Sequence, residues 1–66
     1  MRRAKYLQDM DKVQDAITKL KEATIKDIMT ETRLSYSEVQ QAAYWLRNLG
    51  RVNHEYRGRT ITYSPN

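Results

Sequence analysis

Apolar residues recur at intervals of three or four along residues 7–49, and they alternate with polar residues from residue 52 onward. Intervals of three and four place side chains on one face of a helix, whereas alternation places them on one face of a strand. The pattern predicts three helical segments followed by two strands. We therefore expect an α+β domain that ends in a two-stranded β-hairpin.

The first helix is predicted from an apolar series with steps of three or four residues. Its members are Leu7, Met10, Val13, Ile17 and Leu20. Asp9 or Asp11 can cap the start of this helix, which places the ordered part at about residues 10–21. We therefore expect residues 1–8 to form a basic, disordered N-terminal arm, and residues 9–66 to form the domain.

Capping signals mark the starts of the second and third helices. Thr24 stands three residues before Asp27, and Ser35 stands three residues before Glu38. At this spacing the hydroxyl accepts from the later backbone N–H, and the later carboxylate accepts from the N–H of the cap residue. The second and third helices are therefore predicted to begin directly after Thr24 and Ser35.

The ends of these two helices are predicted from different signals. The second helix loses its apolar stripe near Thr32 and Arg33. The third helix ends at Gly50, because glycine is favoured where a helix closes in a left-handed conformation. The inward stripe of the third helix comprises Val39, Ala43, Leu46 and Leu49.

The alternating tail predicts a hairpin with an even loop. One face is predicted to carry Val52, His54, Tyr56, Ile61 and Tyr63. Gly58-Arg59 fits a type II′ turn and Arg57-Gly58 fits a type I′ turn, and both choices leave that face unchanged. His54 is therefore expected to be a partly buried structural residue, and Pro65 is expected to end the second strand.

Composition excludes several classes of site. The chain has 66 residues, no cysteine and one histidine, which excludes disulfide frameworks, thiolate zinc sites and multi-histidine metal sites. A domain this small buries only about 60% of the surface of its unfolded chain. The sequence also contains no glycine-rich phosphate loop. We expect no enzymatic activity, no catalytic residues, no metal and no cofactor.

No apolar run approaches the roughly 18 residues of a membrane span. The basic N-terminus is not followed by an apolar stretch of the kind found in secretory signals. We therefore expect a cytoplasmic protein that has no membrane partner.

The basic charge is concentrated in the second half of the chain. The net charge is +4. Residues 33–66 carry five arginines against two acidic residues, whereas residues 1–32 carry seven basic and six acidic residues. Arginine is well suited to phosphates and to guanine edges. The distribution is compatible with a nucleic-acid partner, and it also fits a domain that is merely kept in solution by charge.

The N-caps Thr24 and Ser35 lie eleven residues apart, which leaves room for a short helix, a tight turn and a second helix. Together with Thr24–Ile28, Leu46–Val52 and the order of elements, this spacing resembles the winged helix-turn-helix family over about residues 10–64. The size and layout are similar to those of small fimbrial-operon, phage and plasmid regulators. The resemblance implies a hairpin wing, double-stranded DNA as the partner and a role in transcription regulation.

Two positions depart from the pattern of that family. Arg33 stands where the turn usually has a small residue, and Met29 stands where the second helix often has alanine. A left-handed arginine costs more than a glycine. Either the turn takes another shape or Arg33 is kept for a contact, and Met29 fills a looser core.

The resemblance implies that the third helix lies in the major groove. Its polar face carries only one charged residue between Tyr36 and Leu46, namely Glu38, which the cap already employs. A face that serves only solubility usually carries more charge. The candidate DNA-binding residues of this helix are Tyr36, Ser37, Gln40, Gln41, Tyr44 and Arg47.

The chemistry of these residues suits both bases and phosphates. Gln40 and Gln41 can each offer two hydrogen bonds to an adenine edge. Ser37 and Tyr36 can donate to phosphates, and Tyr44 can reach a phosphate or a thymine methyl group. In the turn and wing, the candidates are Arg33, Arg57, Gly58 and Arg59.

Other interpretations of the same surface remain open. Trp45, Tyr44 and Tyr56 can form an aromatic patch of a protein-interaction module, although Trp45 by itself is expected to be a boundary residue under the wing or on the second helix. Gln40 and Tyr44 also imitate contacts of winged helices that bind left-handed duplexes, but this wing lacks a Pro-Pro pair. A homodimer or a tandem array on DNA is compatible with one small module.

Overall fold

Three helices precede a two-stranded antiparallel hairpin, which is the α+β order that the sequence predicts and the layout of a winged helix. The computed structural model describes the backbone from residue 2 to residue 66 and the side chains from residue 7 onward. The elements are α1 (Arg2–Leu20), α2 (Ile25–Thr32), α3 (Tyr36–Asn48), β1 (Val52–Arg57) and β2 (Thr60–Pro65).

The first helix is longer than predicted. α1 begins at Arg2 rather than near residue 10, so Asp9 and Asp11 lie inside the helix and do not cap it. The preceding residues are mostly good helix formers without proline or glycine, so nothing local ends the helix there. Most of the predicted basic arm falls on residues 1–6, whose side chains lie outside the described ones.

Both predicted capping boxes are confirmed. The Thr24 hydroxyl accepts from the Asp27 N–H at 3.2 Å, and the Thr24 N–H donates to the Asp27 carboxylate at 3.1 Å. The Ser35 hydroxyl accepts from the Glu38 N–H at 3.2 Å, and the Ser35 N–H donates to the Glu38 carboxylate at 2.9 Å. These local exchanges fix where α2 and α3 begin.

The first two helices end on left-handed residues that are not glycine. Lys21 has φ 66° and its N–H donates to the Ile17 carbonyl at 2.8 Å. Arg33 has φ 63° and its N–H donates to the Met29 carbonyl at 2.7 Å. The helix-turn-helix turn therefore keeps the left-handed shape that glycine favours, with an arginine in that position.

The end of α3 confirms the role predicted for Gly50. Gly50 has φ 73°, and its N–H donates to the Arg47 carbonyl at 3.1 Å. The next N–H, of Arg51, donates to the Leu46 carbonyl at 2.9 Å. This pair of bonds is a Schellman motif. It turns the chain directly from α3 into the hairpin.

The hairpin has the predicted even loop. Tyr56 pairs with Ile61 and Arg57 pairs with Thr60, which leaves Gly58 and Arg59 as the two loop residues. Gly58 has φ 61°, while Arg59 is not among the residues with positive φ. A positive φ at the first loop position alone is the condition for a type II′ turn, one of the two predicted alternatives.

A short third segment pairs with the hairpin. Ala23, in the connection between α1 and α2, forms an antiparallel bridge with Tyr63. Its N–H donates to the Tyr63 carbonyl at 2.9 Å, and the Tyr63 N–H donates back to the Ala23 carbonyl at 2.8 Å. β2 therefore lies between β1 and this connection, and β1 is the outer strand.

The core lies where the helices meet the base of the hairpin. Its largest fully buried side chains are Val13, Ile17, Ile28, Val39 and Leu46. Small buried residues such as Ala16 and Ala43 accompany them. Val52 and Tyr63 extend the core onto the first part of the hairpin. Burial of these aliphatic groups supplies most of the driving force for folding.

Several positions predicted on apolar faces are exposed, and these include Leu7 and Leu20 of α1. Leu49, which was predicted on the inward stripe of α3, is 57% exposed. It follows the last helical residue, Asn48, so the helical spacing no longer directs its side chain toward the core. His54, which was expected to be partly buried, is exposed as well. It stands on the outer strand beyond the core, and its ring packs edge-to-face with Tyr56 at a centroid distance of 6.0 Å.

Replacing Arg33 with glycine should stabilise the domain. Glycine adopts the left-handed conformation without the steric cost that a side chain adds, so Arg33→Gly should raise the free energy of unfolding by about 0.5–1 kcal/mol. The thermal midpoint, measured by circular dichroism, should rise by about 2–8 °C. As a control, Lys12→Gly in the interior of α1 should lower stability by about 1 kcal/mol. Equal losses in both variants would contradict the left-handed turn.

The buried Tyr63 should make stability depend on alkaline pH. Burial raises the pKa of Tyr63 above its ordinary value of 10.0, and the charge of Arg47 opposes this only in part. The unfolded chain then loses the phenolic proton first, so this contribution is complete below pH 10 and is lost as pH rises through the folded pKa. Urea midpoints should fall over this range in the native protein and fall less in Tyr63→Phe. Parallel pH curves for the two proteins would rule out the effect.

Candidate nucleic-acid interface

A groove between α3 and the hairpin brings four of the predicted site residues together. Tyr36, Gln40, Tyr44 and Arg47 follow one another at helical spacing and line one wall. This α3–hairpin groove has a volume of about 250 Å³. The Ser35 cap fixes the start of α3 and thereby the direction of the whole stripe.

The opposite wall comes from the inner face of the hairpin. It consists of Tyr56, Ile61 and Tyr63, with Ile25 of α2 completing the lining. Tyr63 is only 4% exposed because it stands at the core, whereas Tyr56 is 67% exposed farther along the ribbon. The wall is therefore anchored at one end and open to solvent at the other.

Arg47 places a positive charge inside this groove. It is half-buried, and its guanidinium carbon lies 5.3 Å from the centre of the Tyr44 ring, in cation–π contact. Among the described side chains, no carboxylate forms an ion pair with it. A half-buried guanidinium without a carboxylate partner can attract an anion such as a phosphate.

A second cleft continues the groove toward the tip of the hairpin. It is lined by Lys26 and Arg59 and has a volume of about 420 Å³. Ile25, Tyr36 and Ile61 line both the groove and this tip cleft, so the two form one channel. Neither Lys26 nor Arg59 forms an ion pair with a described carboxylate. Lys26 was not predicted as a site residue. A single lysine near the start of a helix does not indicate a binding site until its neighbours in the fold are known.

Arg57 lies outside this channel. The register puts it on the other face of the hairpin from Tyr56, where its guanidinium contacts Glu22 at 2.8 Å and Glu55 at 3.2 Å. The charge of Glu22 and the hydrogen bond with Glu55 raise the pKa of Arg57. The two carboxylates largely offset its charge, and the pair with Glu22 ties the hairpin to the connection after α1.

The remaining predicted residues occupy the outer surface. Ser37 and Gln41 are exposed on α3 and do not line the channel. Arg33 is exposed in the turn between α2 and α3, and Gly58 stands at the open tip of the hairpin. The predicted set is thus divided between the wall of the channel and the outer side of α3.

The predicted aromatic patch is also divided. Tyr44 and Tyr56 line the groove, whereas Trp45 does not. Trp45 is 42% exposed and packs edge-to-face with Tyr44 at a centroid distance of 6.2 Å. It is therefore a half-exposed neighbour of the groove.

The acidic residues around the channel have structural partners. Asp27 and Glu38 serve as caps, and Glu31 accepts a hydrogen bond from Lys19 at 2.8 Å on the far side of α2. That bond and the charge of Glu31 raise the pKa of Lys19. Asp27, Glu31 and Glu38 are thus engaged with partners other than the cations of the channel.

The described residues show neither a metal cage nor a membrane span. No group of three or more histidine, cysteine or acidic residues among them is placed to hold a metal ion. No helix in the same part of the chain has the length and apolarity to cross a bilayer. No family model matches the sequence, and no curated protein matches it either.

Proposed function

We propose that this chain is a double-stranded DNA-binding domain of the winged helix-turn-helix type and acts in the cytoplasm as a small transcriptional regulator. The observation that carries the proposal is the channel between α3 and the hairpin, whose three cations, Arg47, Lys26 and Arg59, have no ion-pair partner among the described side chains. Phosphates would supply the missing charge.

The dimensions of α3 fit the major groove. A helix with its side chains is about 10–12 Å across, and the major groove of B-DNA is about 12 Å wide. In a duplex, one phosphate backbone separates the major groove from the adjacent minor groove. With α3 in the major groove and the hairpin at the minor groove, that backbone passes between them. Arg47 and four tyrosine side chains line the space between α3 and the hairpin.

The outer side of α3 would then contact bases. Ser37 and Gln41 are exposed there, and Gln40 stands at the border with the channel. An amide can give adenine two hydrogen bonds, which discriminates against other bases. Arg33, exposed at the turn, is placed near the start of α3, where it can reach a phosphate of the same duplex.

A protein-interaction module is the second candidate function. Trp45 and the neighbouring Leu49 are both exposed, and an exposed tryptophan is a frequent anchor in protein interfaces. The two functions differ in their response to salt, because only DNA binding releases many counterions. Assembly into a homodimer or a tandem array would increase the affinity for either kind of partner, DNA or protein.

Arg59 and Lys26 should matter more for DNA binding than Arg57. Arg59→Ala and Lys26→Ala should each weaken binding to all duplexes and reduce the slope of log K against log salt by about 0.9, the value for one phosphate contact. Arg57→Ala should change both quantities little, because Glu22 and Glu55 already occupy its guanidinium. Fluorescence anisotropy with a labelled duplex at several salt concentrations measures both.

The outcomes of that titration separate the candidates. A loss in Arg57→Ala equal to that in Arg59→Ala would place the phosphate contact on the other face of the hairpin. Absence of duplex binding by the native protein at low salt would reject DNA binding and favour the protein-interaction module.

Gln41 should contribute to sequence preference and not to general affinity. On a site selected from random duplexes, Gln41→Ala should cost about 1–3 kcal/mol, and on unrelated DNA it should cost little. Gln8→Ala, an exposed glutamine of α1, serves as the matched control. Thermal melting of each variant checks that the fold is intact. Equal losses on the selected and unrelated duplexes would exclude a base-reading role.

A further inference from the structure

The lining of the channel is poorly explained by phosphate contacts alone. Its middle is formed by the half-buried Ile25 and Ile61 and by the rings of Tyr36 and Tyr56. A phosphodiester gains nothing from contact with an isoleucine side chain, whereas the flat face of a nucleobase gains from both apolar and aromatic contacts. The cations stand only at the two ends, with Arg47 at one end and Lys26 and Arg59 at the other.

We propose that the channel binds unpaired nucleotides of a single-stranded polynucleotide. Their bases stack on Tyr36 and Tyr56, and their phosphates are held by Arg47 and by the Lys26–Arg59 pair. An electrostatic track combined with aromatic platforms is the physical basis of single-strand binding in general. The inference rests on the nucleic-acid part of the proposed function, and it adds a second kind of substrate, a strand without a partner.

Two rings are available as platforms. Tyr36 is 55% exposed, and among the described side chains no ring or cation is found packed on it. Tyr56 contacts His54 in a T-shaped arrangement with an interplanar angle of 86°, which supports the ring while most of it stays exposed. Tyr44 is less suitable, because the Arg47 guanidinium already lies over its ring.

The length of the channel sets the size of the bound segment. Tyr36 and Arg47 are eleven residues apart on α3, which corresponds to about 16 Å at a rise of about 1.5 Å per residue. A stacked strand rises about 3.4 Å per nucleotide, so the part of the channel between Tyr36 and Arg47 spans about five nucleotides, and the tip cleft extends it beyond Tyr36. Affinity should therefore increase with oligonucleotide length through about five nucleotides and level off once the tip cleft is also occupied, apart from the statistical gain of overlapping sites.

The test compares removal of a ring with removal of a hydroxyl. Binding of labelled dT12 should weaken by about 5- to 140-fold in Tyr56→Leu and similarly in Tyr36→Leu, which is the range for loss of one stacked base. Tyr56→Phe and Tyr36→Phe keep the ring and should bind as the native protein does. Both positions are largely exposed, so all four variants should fold, and thermal melting verifies this.

Each contrary result has a defined meaning. If the phenylalanine variants lose as much affinity as the leucine variants, the hydroxyl and not the ring holds the ligand, and stacking is overturned. Stacking is also overturned if the leucine variants bind dT12 normally. If a labelled duplex of the same length binds and dT12 does not, the single-strand inference fails and the proposed duplex binding stands. If neither binds at low salt, both fail.

A further arm identifies the kind of strand. The same titration with U12 tests RNA, and the salt slope for either strand should be about −0.7 per neutralised phosphate. Equal affinity for dT12 and U12 would support a channel that accepts any unpaired strand. Tighter binding of one of them would assign the site to DNA or to RNA.

Discussion

Two backbone hydrogen bonds between Ala23 and Tyr63 determine where the hairpin stands relative to the helices. Ala23 belongs to the connection between α1 and α2, so the bonds fasten β2 to the helical half of the protein and leave β1 outside. The inner face of the hairpin is thereby turned toward α3. The channel and the separation of its two walls both depend on this pairing, since the hairpin alone would be only marginally stable in water.

The two faces of the hairpin differ because each meets a different neighbour. Tyr56 and Ile61 face α3 across the groove, whereas Arg57 faces the acidic Glu22 in the connection between α1 and α2. One face is thus kept available and the other is neutralised. The cation that remains at the tip, Arg59, owes its position to the two-residue turn, which directs it toward α2 and not toward Glu22.

Local signals in the sequence were sufficient for the elements but not for the surface. The capping boxes at Thr24 and Ser35 involve residues three apart, and the hairpin face follows from alternation, so both could be predicted. The pairing of Arg57 with Glu22 joins residues 35 positions apart, and no local pattern reveals it. The same holds for Lys26, which becomes part of the channel only when the tip of the hairpin folds over α2.

The two left-handed residues Lys21 and Arg33 lie on either side of α2, which has only eight residues. Each of them holds a conformation that costs about 1–2 kcal/mol more than the ordinary one, in a domain whose total reserve of stability is small. Opening of this short segment would relax Arg33, whose N–H is bonded to Met29 of α2, while α1 and α3 remain packed on each other in the core. Among the three helices, α2 should therefore unfold locally most often, and its amide protons should exchange fastest with solvent.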